Sequence, residues 1–224
     1  MPIEQFLNRI IHGDCVQTMR TIPAESVDLI VTDPPYLVNY RSRDGRRVPG
    51  DNNNAWLRPA FAEMHRVLQR DSFAVSFYGW TAADQFLAAG REAGFSVVGH
   101  FVFTKSYASR RGFTQARHEC AYLLAKGNPQ KPSRPLPDVL PWGKYTGNSL
   151  HPTQKPVAAI LPLIEAFSRV GDVVLDPFAG SGTTAAAARQ LHRSFIGIEL
   201  DRTYWQNACQ RLGCMSTAPQ PQAA

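Results

Sequence analysis

Six short apolar runs punctuate the chain, at residues 27–32, 72–77, 97–103, 120–125, 173–175 and 194–198, each closed by polar residues, Gly or Pro. Runs of this length predict buried strands. Between them, residues 56–68 place apolar side chains at 57, 60, 61, 64, 67 and 68, the spacing of one helix face. Residues 82–93 and 157–168 repeat that pattern, and 183–191 is rich in alanine. Strands alternating with helices predict an α/β fold built on a doubly wound, mostly parallel sheet. One pair breaks the alternation. Residues 97–103 and 120–125 are joined by a basic loop without helical periodicity, which predicts an antiparallel hairpin at one side of the sheet. Residues 126–150 hold five prolines and little periodicity and read as a surface segment or small insertion. The tail at 215–224 reads as disordered, leaving 1–214 as a single domain.

Bulk properties narrow the class. A chain of 224 residues with a hydrophobic fraction of 44% and a charged fraction of 19% has the make-up of an ordinary globular domain. It has no long uninterrupted apolar run and no cleavable signal pattern, so a cytoplasmic protein without membrane spans is expected. Cys15, Cys120, Cys209 and Cys214 are scattered, with no CxxC pair and no Cys/His ligand spacing, so no metal is expected. The net charge of +6 is unevenly spread: residues 37–58 carry +3, 105–118 carry +4 and 126–150 carry +3, so the remainder is negative. Such loops are either solvated surface or a face for a polyanion. On the second reading Arg41, Arg43, Arg46, Arg47, Arg110 and Arg111 contact nucleic acid, and the loop at 37–55 orders around it.

Two segments carry candidate chemistry. In VVLDPFAGSGTT (173–184) a strand runs into a glycine-rich turn and then a helix. Glycine lets backbone approach a ligand closely, and open α/β sheets bind ligands at the carboxyl ends of strands. A lone GxG also serves as a structural turn. Here Asp176 ends the strand, placed for a cationic amino-acid group, and Glu199 ends the next strand, placed for ribose hydroxyls. Neither a third glycine for a pyrophosphate nor a GxxxxGK[ST] phosphate loop is present.

The second segment, VDLIVTDPPYLVNY (27–40), sets Asp33-Pro34-Pro35-Tyr36 directly after a strand. Two prolines fix φ and lack N–H donors, so the loop is stiff and offers carbonyl acceptors. One carboxylate, one free carbonyl and one aromatic face suit a planar ring bearing an amino group. By itself a D-P-P turn also serves merely to end a strand.

The order of motifs adds what neither segment holds alone. DPPY comes first, then HPTQKP (151–156), then DPFAGSGT (176–183), then GIELD (197–201). This resembles the beta class of S-adenosylmethionine-dependent DNA amino-methyltransferases, from about His12 to about Asn207. The resemblance implies a Rossmann-like methyltransferase fold with circularly permuted motifs, acting on DNA. It assigns Asp33, Pro34, Pro35 and Tyr36 to the target base. It assigns Asp176, Pro177, Phe178, Gly180, Ser181, Gly182 and Thr183 to S-adenosylmethionine, with Glu199 on the ribose, Asp14 on the adenine amine and Lys155 at the methionine carboxylate. The segment RHECAY (117–122) resembles the family's late catalytic-domain strand.

In that family DPPY is usual for adenine N6 and SPPY commoner for cytosine N4, so adenine is the expected base. The resemblance further implies base flipping and direct in-line transfer. None of the four cysteines follows a proline, which disfavours a C5-cytosine enzyme with its cysteine nucleophile. The segment at 126–150 is the expected DNA-recognition element, and it is short for the class. A homodimer is common in the class and nothing in the sequence fixes it. Two rivals stand at this stage: a methyltransferase of RNA or of protein glutamine, and a non-catalytic nucleic-acid-binding module that retains the fold.

Overall fold

The computed structural model describes residues 1–42, 45–109, 113–143 and 150–214. In chain order the elements are β1 (Arg9–His12), α1 (Cys15–Thr21), β2 (Val27–Thr32), α2 (Leu57–Val67), β3 (Leu68–Tyr78), α3 (Ala83–Glu92), β4 (Ser96–Ser109) and β5 (Ala116–Lys126), followed by β6 (Val139–Pro141), α4 (Val157–Phe167), β7 (Val173–Asp176), α5 (Thr183–Gln190), β8 (Ser194–Glu199) and α6 (Arg202–Leu212). The eight strands form one sheet in the order β1-β8-β7-β2-β3-β5-β4-β6. From β1 to β3 every neighbouring pair is parallel. Then β5 runs antiparallel to both β3 and β4, and β6 returns parallel to β4.

Alternation of side chains along the strands builds two cores. Leu29, Val31, Val75 and Phe77 face one side, where α4, α5 and α6 bring Leu163, Ala187 and Trp205. Ile30, Ala74 and Tyr78 face the other, where α1, α2 and α3 bring Met19, Phe61 and Phe86. At period 2 a strand serves both layers at once, which is why the central runs read as nearly continuous apolar sequence.

The predicted strands and helices all form, and the hairpin is antiparallel as expected. Besides β6, three elements lie outside the six apolar runs and four helical patterns. Strand β1 is only four residues long, α1 begins after the polar turn at Gly13-Asp14, and α6 has low mean hydropathy because much of it faces solvent. The segment at 126–150 also differs from the surface reading. Its residues Val139–Pro141 pair with β4, and Leu140 and Trp142 are buried. The Trp142 ring packs edge-on against Phe77 and Phe103. A proline-rich stretch hides such a strand, because three residues show no periodicity. The tail at 215–224 lies outside the described residues.

One topological feature positions everything that follows. From β7 the chain moves outward to β8, whereas from β2 it moves the opposite way to β3. The carboxyl ends of β2 and β7 therefore flank the point where strand order reverses, the place where open α/β sheets leave a ligand crevice.

Candidate active site

Asp33-Pro34-Pro35-Tyr36 leaves the end of β2, and the glycine turn at 177–182 leaves the end of β7 beside it. Thr32 Oγ1 donates to Asp176 Oδ1 across the junction at 2.8 Å, stitching the two loops together where the order reverses. A cleft opens between them. Asp14, Asp33, Pro34, Pro35, Tyr36, Lys155, Pro177, Phe178, Gly180 and Glu199 all line it, with Trp56, His151 and Ile198.

On the β7 side the turn is held mostly by backbone. Gly180 and Gly182 have φ of +52° and +74°, the left-handed region that costs other residues 1–2 kcal/mol or so. Glu199 accepts the Gly180 N–H on Oε2 and the Asp201 N–H on Oε1, each at 2.7 Å. Burial pushes its carboxyl up to about 7, although both amides pull the other way. Burial likewise raises Asp176 to about 6, against hydrogen bonds from Thr32 and the Phe178 amide. Gly182 caps α5, and a Cβ there would meet Leu212 Cδ1 at 3.0 Å, so it packs on α6 rather than facing the cleft. Asp176, Ser181 and Thr183 line a smaller pocket beneath the turn, together with Asp33 and Lys155. Arg211 donates to the Ser181 carbonyl at 3.1 Å and to Thr183 Oγ1 at 3.2 Å.

On the β2 side the loop is held by side chains. Lys155 Nζ lies 2.6 Å from Asp33 Oδ2 and donates to the Tyr36 hydroxyl at 3.0 Å. That hydroxyl donates to Glu119 Oε2 at 3.1 Å, and Lys105 pairs with Glu119 Oε1. The Lys155 ammonium also stands 5.0 Å from the Tyr36 ring centre and 5.4 Å from that of Trp142. Asp33 Oδ1 is buried and has no hydrogen-bond partner among the described residues. Burial raises the Asp33 carboxyl and Lys155 pulls it back, with a net upward shift. Gly79, at the end of β3, makes room for this loop: a Cβ there would sit 2.7 Å from Tyr36 Cβ and 2.9 Å from its carbonyl oxygen. Directly beyond, Leu37 and Asn39 adopt φ of +62° and +51°, so the chain turns sharply out of the site at some conformational cost.

The remaining candidates fall into place unevenly. Asp14 caps α1 by accepting the Gln17 N–H at 2.9 Å while bordering the cleft. Lys155, expected at the methionine carboxylate, has its ammonium on Asp33 and Tyr36. Arg41 and Arg47 are exposed and face each other across an isolated antiparallel bridge, and Arg46 and Arg47 border a pocket between this loop and the start of α6. Arg43, Arg110 and Arg111 lie outside the described residues. The loop expected to order around DNA is organised by its own Asp51, buried and accepting the Val38 and Tyr40 amides at 3.3 and 2.5 Å.

Several side chains at the site carry no role that sequence reveals. Trp56 packs against Phe178 with ring centres 4.9 Å apart and lines the cleft. His151 is visible only as part of HPTQKP. Its ring lies 4.4 Å from that of Tyr204, and burial, then Lys155 and Arg46, lower it to about 4, so it is neutral. Glu119 falls within RHECAY, but its partner Lys105 has no signal beyond charge.

The chain is similar to several known proteins. A family model described as DNA methylase matches residues 27–210. The Escherichia coli K12 protein YubD is 55% identical over 218 residues, covering 97% of this chain and 96% of YubD. The DNA adenine methyltransferase YhdJ of the same organism is 32% identical, covering 92% of this chain and 83% of YhdJ. The crystal structure of the M1.HpyAVI–SAM complex matches with a TM-score of 0.73 at 26% identity, over 91% of this chain and 98% of that one.

Proposed function

We propose that this chain, which belongs to the DNA methylase family of S-adenosylmethionine-dependent N6-adenine and N4-cytosine methyltransferases, methylates the N6 amino group of adenine in DNA. The observation that carries the reading is Asp33 Oδ1, a buried acceptor without a partner among the described residues, beside the Tyr36 ring and across the strand reversal from the glycine turn. A buried acceptor left unpaired costs about 1–3 kcal/mol, so such an atom calls for a donor from outside the chain.

The residues present fit S-adenosylmethionine. Phe178, Trp56 and Ile198 offer apolar walls for a purine, and Glu199, at the end of β8, has acceptor capacity left for ribose hydroxyls. Asp14 sits at the rim, within the same cleft, for the adenine amine. Gly180 lets backbone come close to the ligand, and neutral His151 stands at the end of the cleft nearest that turn. The bound cofactor supplies an electrophilic methyl group on a sulfonium.

The chain's own groups do the rest. Inside a stacked duplex the amino group is inaccessible, so the base is flipped into the cleft. Asp33 Oδ1 and the Pro34 carbonyl accept the two amine hydrogens, which draws the nitrogen lone pair out of conjugation and leaves it free for in-line attack. Tyr36 stacks on the ring. Asp33, raised by burial, takes the proton that the amine sheds. Rate then comes from positioning and fixed polar groups, with no enzyme nucleophile. Arg41, Arg46 and Arg47 extend the DNA-facing side beyond the catalytic loop, with the segment at 126–150 as a short recognition element.

Adenine over cytosine is supported by aspartate at the first position of DPPY and by the adenine-modifying relative. Expression in a methylation-free host followed by nucleoside analysis and modified-base sequencing tests this directly. N6-methyladenine in a defined context is expected; N4-methylcytosine alone would overturn the choice of base.

A further inference from the structure

We propose that Glu119, backed by Lys105, is a positioning residue that fixes the Tyr36 ring and keeps Lys155 on one oxygen of Asp33. The inference rests on the methyl-transfer reading above and deepens it. Glu119 falls in the segment at 117–122 that resembles the family's late catalytic-domain strand, but neither it nor Lys105 is assigned a role there; both belong to the antiparallel hairpin.

Sheet register brings them to the site. Phe77 and Tyr78 pair with Ala121 and Cys120, so Glu119 stands just beyond the end of β3, level with Gly79. Glu119 pairs with Phe103 on the other side, and Lys105 lies two residues further along that strand, on the same face. The result is a continuous series: Lys105, Glu119, the Tyr36 hydroxyl, Lys155 and Asp33. Charge alternates along it, and the four charged side chains sum to zero. Their exposure is low, 13% for Lys105, 18% for Glu119 and 7% for Lys155. Burial alone would raise the Glu119 carboxyl, but Lys155 and Lys105 more than offset this and hold it below the ordinary value.

The catalytic loop needs such a brace for a covalent reason. Pro34 and Pro35 have no N–H, so the loop cannot tie itself down by backbone donation there. Tyr36 must present a flat face at a fixed angle, and the contacts of its hydroxyl add to the packing of its ring against the core. Glu119 accepts a hydrogen bond from the phenol O–H, which turns the oxygen lone pairs toward Lys155. Lys155 is then shared between Tyr36 and Asp33 Oδ2, and Oδ1 stays open for the substrate amine. Without Glu119 the ammonium can swing fully onto the carboxylate and compete for the oxygen that the amine requires.

A double-mutant cycle measured under single turnover tests this, with labelled S-adenosylmethionine and unmethylated genomic DNA. Glu119→Ala is expected to slow transfer by about 30-fold while leaving cofactor Kd and DNA KM within about threefold. The same substitution in a Tyr36→Phe background should cost less than about threefold, since the hydroxyl it acts through is gone. Glu119→Gln retains an acceptor and should recover part of the rate; it also serves if the alanine variant does not fold. Equal losses in both backgrounds, a loss confined to cofactor affinity, or an unchanged rate would each overturn the proposal while leaving DNA methylation intact. Absence of transfer by the unaltered protein would instead remove the functional reading, and this inference with it.

Discussion

The two loops that meet at the strand reversal are secured in opposite ways. The turn after β7 is held from within its own neighbourhood: two left-handed glycines, amide bonds to Glu199, and packing on α6. The loop after β2 is held from a distance, by Lys155 from a segment 119 residues further on and by Glu119 from β5. Backbone chemistry explains the contrast. A glycine turn exposes N–H donors and can be fixed by one acceptor, whereas consecutive prolines offer none and leave only side chains to grip. The lesson is that a cofactor turn travels as a nearly self-contained unit, while a proline-built catalytic loop depends on the rest of the domain.

The sharpest way to separate the loops is Asp33→Ala. It removes the orphan acceptor and the charge that Lys155 pairs with, without touching the β7 turn. Transfer to DNA should fall by on the order of 10³-fold, the scale of losing a preorganised polar group in the transition state. Cofactor affinity, measured by calorimetry, should stay within about threefold. Activity within tenfold of the unaltered protein would mean that Asp33 does not engage the reacting amine.

The same contrast governs what can be read from sequence. The glycine turn, Asp176 and Glu199 are all legible, because their residue types and their places at the ends of β7 and β8 mark them, although Thr32, Arg211 and Leu212 also brace the turn. The Asp33 loop is legible as a motif but its supports are not. The resemblance implies a cofactor role for Lys155, and nothing in its motif reveals that the fold also brings its ammonium onto Asp33. Glu119 and Lys105 meet the loop only through the pairing of β3 with β5 and β5 with β4, a register set by long-range packing. Trp142 is hidden for a related reason: a three-residue strand has no period to detect. Gly79 looks like a strand terminator, and only the proximity of Tyr36 shows why a side chain there has no room.

A smaller effect, and one specific to the β7 side, comes from Glu199. Its carboxyl is raised by burial from 4.5 to about 7, so the folded protein binds this proton more tightly than the unfolded chain. Folding therefore takes up a proton between those values, and the contribution to stability is greatest below 4.5 and declines as pH rises through about 7. Glu199→Gln removes this dependence, though it sacrifices one of the two amide bonds at all pH values. The melting temperature of the variant relative to the unaltered protein should rise by on the order of 5 °C from pH 4.5 to pH 8. Cofactor affinity of the unaltered protein should weaken as pH falls below about 7, where the carboxylate that accepts the ribose hydroxyls is lost. A difference in melting temperature that stays constant across that range would show that Glu199 does not hold a raised proton affinity.

The mildest expected effect lies beyond the catalytic loop, where Arg41 and Arg47 face each other on an exposed bridge. Neither touches Asp33, Tyr36 or Lys155 among the described residues, so replacing both with alanine should leave the single-turnover rate at saturating DNA unchanged. Removing one arginine from a phosphate reduces the slope of log affinity against log salt by about 0.9, so the double variant should flatten it by up to about 2. DNA affinity should fall several-fold near physiological salt, and the difference should vanish as salt rises. A slope identical to that of the unaltered protein would assign the positive charge of this loop to solvent. A reduced rate at saturation would instead mean that the segment after Tyr36 also braces the catalytic loop, adding a local support to a loop otherwise held from afar.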